Sequence, residues 1–479
     1  MDRYKSLVRN SSLIHNKFCE GKQSTFDVLD KFDQSIIETV SYLDCYQMEV
    51  AIESAVEGFN SLRSLNTGER RDCLQTLQKL LGERAEEFAF LICAEAGKPI
   101  EYARAEVLRT ISTLDHAIDL SRTFSGEQIP MDFDGGVGKQ AFTRRFPVGP
   151  IAAISPFNFP LNLVMHKLAP ALAVGCSVLL KPSPLTPFSA LALAELVREV
   201  GFPDGSFNVV LAEDHIAQKM IEDGRLKLLS FTGSAYVGWK LKALSKNKKC
   251  ILELGGDAAV LVDESADLEK ITPQIVKGAY MYAGQICIST QRIFCVSSIY
   301  SKFKKLLINE IKKLKIGNPL IEENEVGPMI NSFHLDRISS WIDEAESLGA
   351  DCLVGGAVFD MEHNIYRPTL LENVPRNCKL GHEEVFGPVA IIEEVKNFEQ
   401  GLTKINQSSY GLQTGIFTEN INRMKLAFET IEAGAVLIGM IPGFRIDHMP
   451  YGGIKNSGLG REGIKYAMED MTEPKLLIF

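Results

Sequence analysis

A chain of 479 residues, 45% of them hydrophobic, can bury more than one core, and about 150 residues per domain gives two or three domains. The formal net charge of −10 argues against nucleic acid or an anionic membrane surface as partner, because both need clustered Lys and Arg. Ten cysteines form no CxxC pair and no Cys/His group at zinc spacing, so no metal site is expected, and thiols scattered this way fit a reducing, cytoplasmic setting.

The N-terminal stretch carries Asp2, Arg3, Lys5, Arg9 and Lys17 without a sustained apolar core, so neither a secretory leader nor a membrane span is expected. From Glu49 to Glu95 apolar residues recur at helical spacing, as in Ala51, Ala55, Phe59 and then Leu77, Leu80, Leu81, Phe88 and Leu91, which predicts helices. Around Ser125 to Arg145 the texture changes to short, Gly-rich, β-like segments that mark an excursion from the domain. Ile151 to Leu254 then alternates between apolar strand-like runs (IAAIS, SVLLKP, FNVVLA, LKLLSFTG, CILEL) and amphipathic helices, predicting five strands and four helices. Such alternation means parallel strands with right-handed crossovers and a ligand beyond their carboxyl ends. Gly201 followed by Phe202-Pro203 reads as a helix stop. From Gly255 to about Gly443 the alternation resumes and suggests a second α/β domain. The terminal run Pro474 to Phe479 reads as a short strand that must pair, with another subunit as one candidate, because an unpaired apolar strand is an aggregation hazard.

Two groups in this frame carry chemistry. Cys287 lies in Gly284-Gln285-Ile286-Cys287-Ile288-Ser289-Thr290, a loop of glycine and small polar neighbours where a thiol can meet a substrate. Glu253 lies within the apolar run Ile251 to Leu254, where a carboxyl tends to a raised pKa that suits a general base. Taken singly, each is bland: a free Cys is more often a small buried hydrophobe, and a buried Glu is more often paired. Thr232-Gly233-Ser234 ends a strand and opens a helix, so its N–H groups could hold a pyrophosphate, although Ser is also a common helix cap and the GxGxxG fingerprint is absent. In Ser155-Pro156-Phe157-Asn158-Phe159-Pro160 two prolines stiffen a loop and fix the Asn158 amide, a good oxyanion donor where it is not merely a turn residue.

The order PFNFP, KPSPLTP, FTGSAYVG, LELGG, GQICIST, EEVFGP and PYGGIKNSGLGRE resembles the aldehyde dehydrogenase superfamily from about Val50 to the C-terminus. The resemblance implies an α/β fold with a Rossmann-type parallel-sheet cofactor domain (1–122 and 142–254), an α/β catalytic domain (255–446) and a small β oligomerisation arm (123–141 and 465–479), with 447–464 returning to the cofactor domain. It implies that Cys287 attacks the aldehyde, that the Asn158 amide and the Cys287 N–H hold the oxyanion, and that Glu253 deprotonates the water that releases the acid. Cofactor contacts are implied at Ser155, Pro156, Lys181, Ser183, Thr232, Gly233, Ser234, Leu254, Gly255, Glu384 and Phe386. Pro184 departs from the Glu found three residues after the lysine in many NAD-preferring relatives, so NAD is expected first and NADP is left open.

His166 stands where many relatives have an aromatic, and Phe444-Arg445-Ile446-Asp447-His448-Met449-Pro450 precedes the glycine pair, which resembles lactaldehyde, non-phosphorylating glyceraldehyde-3-phosphate and phosphonoacetaldehyde dehydrogenases. The expectation is a small polar aldehyde whose hydroxyl or anionic tail meets Arg445, with Arg292 or His166. The alternative is that Arg445 and Asp447 brace a loop. An acylating enzyme using coenzyme A or phosphate is the rival reaction, and a non-catalytic homologue is the rival class. A homodimer or homotetramer is implied.

Overall fold

The computed structural model describes residues 3–479. The region predicted to alternate does so, with strands Ile151–Ile154, Val178–Lys181, Phe207–Val209, Leu228–Thr232 and Lys249–Glu253 separated by four helices. These five strands pair in parallel, the first occupying the centre with the second and third on one side and the fourth and fifth on the other. The chain direction across the sheet therefore reverses between Ile151–Ile154 and Leu228–Thr232, and a crevice opens at the carboxyl ends there. Continuous apolar runs suit this position because a parallel sheet is covered on both faces, and all of Val178–Lys181 is buried.

The same sheet extends beyond the predicted strands. A hairpin of Ser12–Ile14 and Lys17–Cys19 adds antiparallel to Phe207–Val209, and Gly458–Leu459 covers the far edge beside Lys249–Glu253. A second ladder, Thr25–Leu29 with Ile36–Ser41, precedes the helices Cys45–Leu62, Thr67–Glu83 and Ala85–Ala96. These N-terminal strands are short and mixed in polarity, and their alternation is too brief to announce them.

Beyond Gly255 a seven-stranded sheet forms, with Ala259–Val262, Arg292–Val296, Val389–Val395, Gln413–Phe417, Thr369–Glu372 and Ala435–Ile438 parallel and Asp351–Val354 antiparallel at one edge. A three-stranded sheet stands apart, where Thr472–Ile478 pairs along its whole length with Ala141–Pro147, which in turn pairs with Gln128–Ile129. The terminal strand thus finds its partner within its own chain. Helix Ile464–Asp470 does not share in this arm, because Ile464, Ala467 and Met468 bury themselves in the core around helix Asn162–Val174. Among the described residues no helix is long and apolar enough to cross a membrane.

One buried carboxylate fixes the helix that follows the central strand. Glu106 Oε1 accepts the N–H groups of Leu161 and Asn162 at 3.0 and 3.1 Å, and Lys98 pairs with its other oxygen inside the core. A negative charge at a helix N-terminus satisfies otherwise orphaned donors. Here it also sets where the Asn158 loop enters the crevice.

Candidate active site

A cleft of about 600 Å³ runs between the carboxyl edge of the five-stranded parallel unit and the second sheet, within the range of ~300–1,000 Å³ usual for ligand sites. Cys287, Asn158 and Glu253 all line it, with Arg445 and Tyr451 beside them. Ser155, Pro156, Lys181, Ser183, Thr232, Gly233, Ser234, Leu254, Gly255, Glu384 and Phe386 line the remainder.

The loop that presents Cys287 is forced into shape. Tyr282, Ala283 and Gly284 take φ of 51°, 52° and 66° in succession, a left-handed run that follows helix Leu268–Tyr280 and leads into the thiol loop. A side chain at Gly284 would lie 2.1 Å from the Gly387 carbonyl oxygen, so only glycine allows this loop to touch the Glu383–Pro388 segment. Gln285 is then pinned: its Oε1 accepts from the Ile330 N–H at 2.9 Å, and Asn158 Nδ2 donates to its carbonyl at 2.8 Å. Asn158 therefore spends one amide hydrogen on the thiol's own loop and retains the other.

Glu253 ends the last parallel strand, 3% exposed, and neither carboxyl oxygen has a hydrogen-bond partner. Burial, and then the neighbouring Glu462 charge, raise its pKa well above the ordinary carboxylate value. Glu462 itself is held down at about 2: burial opposes this, but Lys167, His166 and Arg445 outweigh it. The Cys287 thiol is half-buried and pushed up to about 12 by burial, against a hydrogen bond with Tyr451, whose Oη lies 3.0 Å from Sγ.

The cleft wall also carries charged and polar groups away from the sulfur's own hydrogen bond. Lys181, closing its strand, projects an ammonium into the wall beside Asp214. Ser234 caps helix Ala235–Leu244 by accepting from the Val237 N–H at 3.4 Å, so the cap reading and the cleft-lining position coexist. Nearer the thiol, Glu384 Oε1 accepts the Gly256 N–H at 2.9 Å, and burial raises its carboxyl to about 7. Added Cβ atoms at Gly255 and Gly256 would lie 2.4 Å from Glu384 Oε2 and 2.3 Å from the Cys287 carbonyl oxygen, which accounts for both glycines. Phe386, at φ 47°, sets its ring edge-on to Phe157 at 5.7 Å.

Two sequence expectations are corrected. Arg292 does not face the cleft; its guanidinium pairs with the Asp257 carboxylate at 2.8 Å and donates to the Asp257 and Lys404 carbonyls, bracing the second sheet. His166 is also absent from the wall, being buried with Nε2 2.8 Å from Asp447 Oδ1 and 3.2 Å from Arg445 Nη2. Arg445 does line the cleft, with Glu462 3.0 Å from Nη2 and the guanidinium 3.7 Å above the Tyr451 ring. Tyr451, Glu462, Lys167 and Arg109 were not singled out from the sequence. The first two lay inside the PYGGIKNSGLGRE run, and only their burial beside Cys287 and Glu253 distinguishes them. Arg109 lies far upstream on helix Ile100–Leu120 and reaches the wall through Asp447, 2.6 Å from its Nη2.

The family profile described as the aldehyde dehydrogenase family matches residues 18–477. The chain is 38% identical to the 3-sulfolactaldehyde dehydrogenase of Priestia aryabhattai over 473 residues, 98% of each. Its fold superposes on aldehyde dehydrogenase 21 from Physcomitrella patens, solved with the reaction product succinate, with a TM-score of 0.95 and 38% identity, covering 98% of this chain and 99% of that one. It also superposes on the glyceraldehyde-3-phosphate dehydrogenase of Methanocaldococcus jannaschii complexed with NADP, with a TM-score of 0.90 and 36% identity, covering 95% and 98%.

Proposed function

Because the chain belongs to the aldehyde dehydrogenase family, we propose that Cys287, Asn158 and Glu253 form the catalytic set by which it oxidises a small aldehyde to its acid with NAD or NADP. The observation that carries this assignment is the meeting of all three side chains in the wall of one cleft that Lys181 and Ser234 also line. Lys181, the N-terminal turn at Ser234, Glu384 and Phe386 would hold the dinucleotide, its ribose hydroxyls facing the charged groups and its pyrophosphate the helix N-terminus.

Cys287 loses its proton and its sulfur bonds to the aldehyde carbon, while the carbonyl oxygen gains negative charge. The Asn158 N–H not bound to Gln285 and the Cys287 N–H receive that charge. A nicotinamide held by Glu384 and Phe386 would supply the acceptor for the hydride, and loss of that hydride from the carbon would leave the acyl group on the Cys287 sulfur as a thioester. Glu253 then takes a proton from water, whose oxygen bonds to the acyl carbon as the C–S bond breaks and the acid departs. An unpartnered carboxyl with a raised pKa suits this base, and its presence favours water over coenzyme A or phosphate.

Arg445 and Arg109 both reach the cleft beside Cys287, and Arg445 Nη1 has no partner among the described residues. An aldehyde with a short anionic tail suits this pair, as a guanidinium offers a planar donor fork to a carboxylate, sulfonate or phosphate. The eight-, seven- and three-stranded sheets support a division into cofactor domain, catalytic domain and arm, with helix Ile464–Asp470 outside the arm. The exposed Leu476, Leu477, Ile478 and Phe479 on the arm support a homodimer or homotetramer, and ten free thiols support a cytoplasmic setting. NADH formation with acid release, in the absence of coenzyme A and phosphate, tests the reaction; a Cys287→Ala variant that still turns over would reject the nucleophile.

A further inference from the structure

Catalysis as described leaves unassigned the group nearest the reacting atom. Tyr451 Oη lies 3.0 Å from Cys287 Sγ, and no other side chain forms a hydrogen bond with that sulfur among the described residues. We propose that Tyr451 is a further catalytic residue, whose phenol donates a hydrogen bond to the Cys287 sulfur and stabilises the thiolate that attacks the aldehyde. This rests on the reading of Cys287 as the nucleophile.

Three observations fix the phenol for that task. Its backbone is bridged to Glu462 in both directions, with N–O distances of 3.0 and 2.6 Å, so the ring cannot drift along the cleft. The ring is 3% exposed and lies beneath the Arg445 guanidinium at 3.7 Å. A cation on the ring face draws electron density from the phenol and makes its O–H a better donor. The third observation concerns the alternatives. The titratable groups facing the sulfur are Tyr451, Glu384, Arg445 and Glu253, and of these only Tyr451 is within hydrogen-bond distance. Glu253 and Glu384 are acids that oppose a thiolate, so the stabilisation comes from Tyr451 at contact and from Arg445 at longer range.

Proton accounting is simple. The Cys287 proton leaves to water, while burial first and the Cys287 charge next raise the phenol's own pKa well above its ordinary value, so Tyr451 keeps its proton and remains a donor. The hydroxyl is separable from the rest of the side chain, because phenylalanine would fill the same space beneath Arg445.

The experiment follows Cys287 itself. Alkylation by iodoacetamide is measured against pH, with the peptide bearing Cys287 quantified by mass spectrometry, in wild type and in Tyr451→Phe. The expected result is a midpoint about one pH unit higher and a rate near neutral pH about tenfold lower in the variant. The kcat/KM falls with it, while NAD affinity by direct titration and the melting temperature stay unchanged. An unmoved midpoint, or faster alkylation in the variant, overturns the proposal. Should Tyr451→Phe fail to fold, 3,5-difluorotyrosine in place of Tyr451 supplies a more acidic donor and lowers the midpoint; no shift there overturns it equally. Failure of the underlying reading would show separately, as turnover surviving Cys287→Ala.

Discussion

Lys181 Nζ lies 3.1 Å from Asp214 Oδ1, and both residues line the cleft that Cys287 lines. Pro184 cannot supply the carboxylate that accepts ribose hydroxyls from NAD, but Asp214, at the first turn of helix Asp214–Glu222, brings one to the same lysine from a different strand connection. Glu213 adds a second negative charge next to it.

From this pairing the enzyme is expected to prefer NAD, since a 2′-phosphate would face a carboxylate rather than a second cation. Asp214 is 99% exposed on its side chain, so the repulsion is screened and the preference it gives is modest. The ratio of kcat/KM with NAD to that with NADP should fall by about a few-fold in Asp214→Ala, and the difference should shrink as salt is added. A wild-type enzyme favouring NADP would remove the argument.

Glu253 gives the second expectation. Its raised pKa means that the ionised base is scarce at low pH, so acid release should climb as pH rises through a limb above the ordinary carboxylate range. Glu253→Gln should abolish that limb and slow turnover by about 10² or more, while the first burst of NADH, one per site, survives. Stopped-flow absorbance separates burst from steady state; loss of the burst as well would place Glu253 before hydride transfer.

These two residues also show what the sequence could and could not convey. The five parallel strands were legible because their apolar runs are continuous and separated by helices, a pattern set by burial on both faces. Glu253 was legible because a carboxylate amid Ile251, Leu252 and Leu254 is costly without a purpose. Asp214 was not, since an exposed Asp in the first turn of a helix is ordinary and its value lies in a lysine 33 positions earlier in the chain. Arg292 misled for the reverse reason: a charged residue close in sequence to Cys287 is carried away from the cleft by strand Arg292–Val296. The pairing of Arg109, Asp447, His166 and Arg445 joins three separate segments, and only folding brings those together.

That cluster predicts the substrate's charge. Burial disfavours a charged Asp447, but the His166 hydrogen bond and then Arg109 hold its pKa well below the ordinary value, so it stays anionic and keeps both partners in place. Arg445→Ala and Arg109→Ala should each raise KM for a carboxylate-tailed aldehyde about tenfold or more relative to propionaldehyde, a charge-assisted hydrogen bond contributing roughly 1.5–3 kcal/mol. An equal loss with both aldehydes would mean that the arginines only brace the loop.

The loop before Cys287 offers a test of geometry rather than charge. Gly284 combines φ 66° with a virtual Cβ 2.1 Å from the Gly387 carbonyl oxygen, so alanine there meets backbone strain and a collision with main chain that cannot rotate away. Gly284→Ala should cost about 2 kcal/mol or more in urea unfolding. Its larger effect should be on activity, since relieving the clash moves Gln285 and so breaks the Asn158 contact that aligns the amide with the sulfur. NAD binding by direct titration should weaken less than kcat falls, because Lys181 and Ser234 belong to elements that Gly284 does not touch, whereas Glu384 and Phe386 neighbour Gly387. A variant with wild-type kcat would show that the thiol loop reaches its working shape without this close approach.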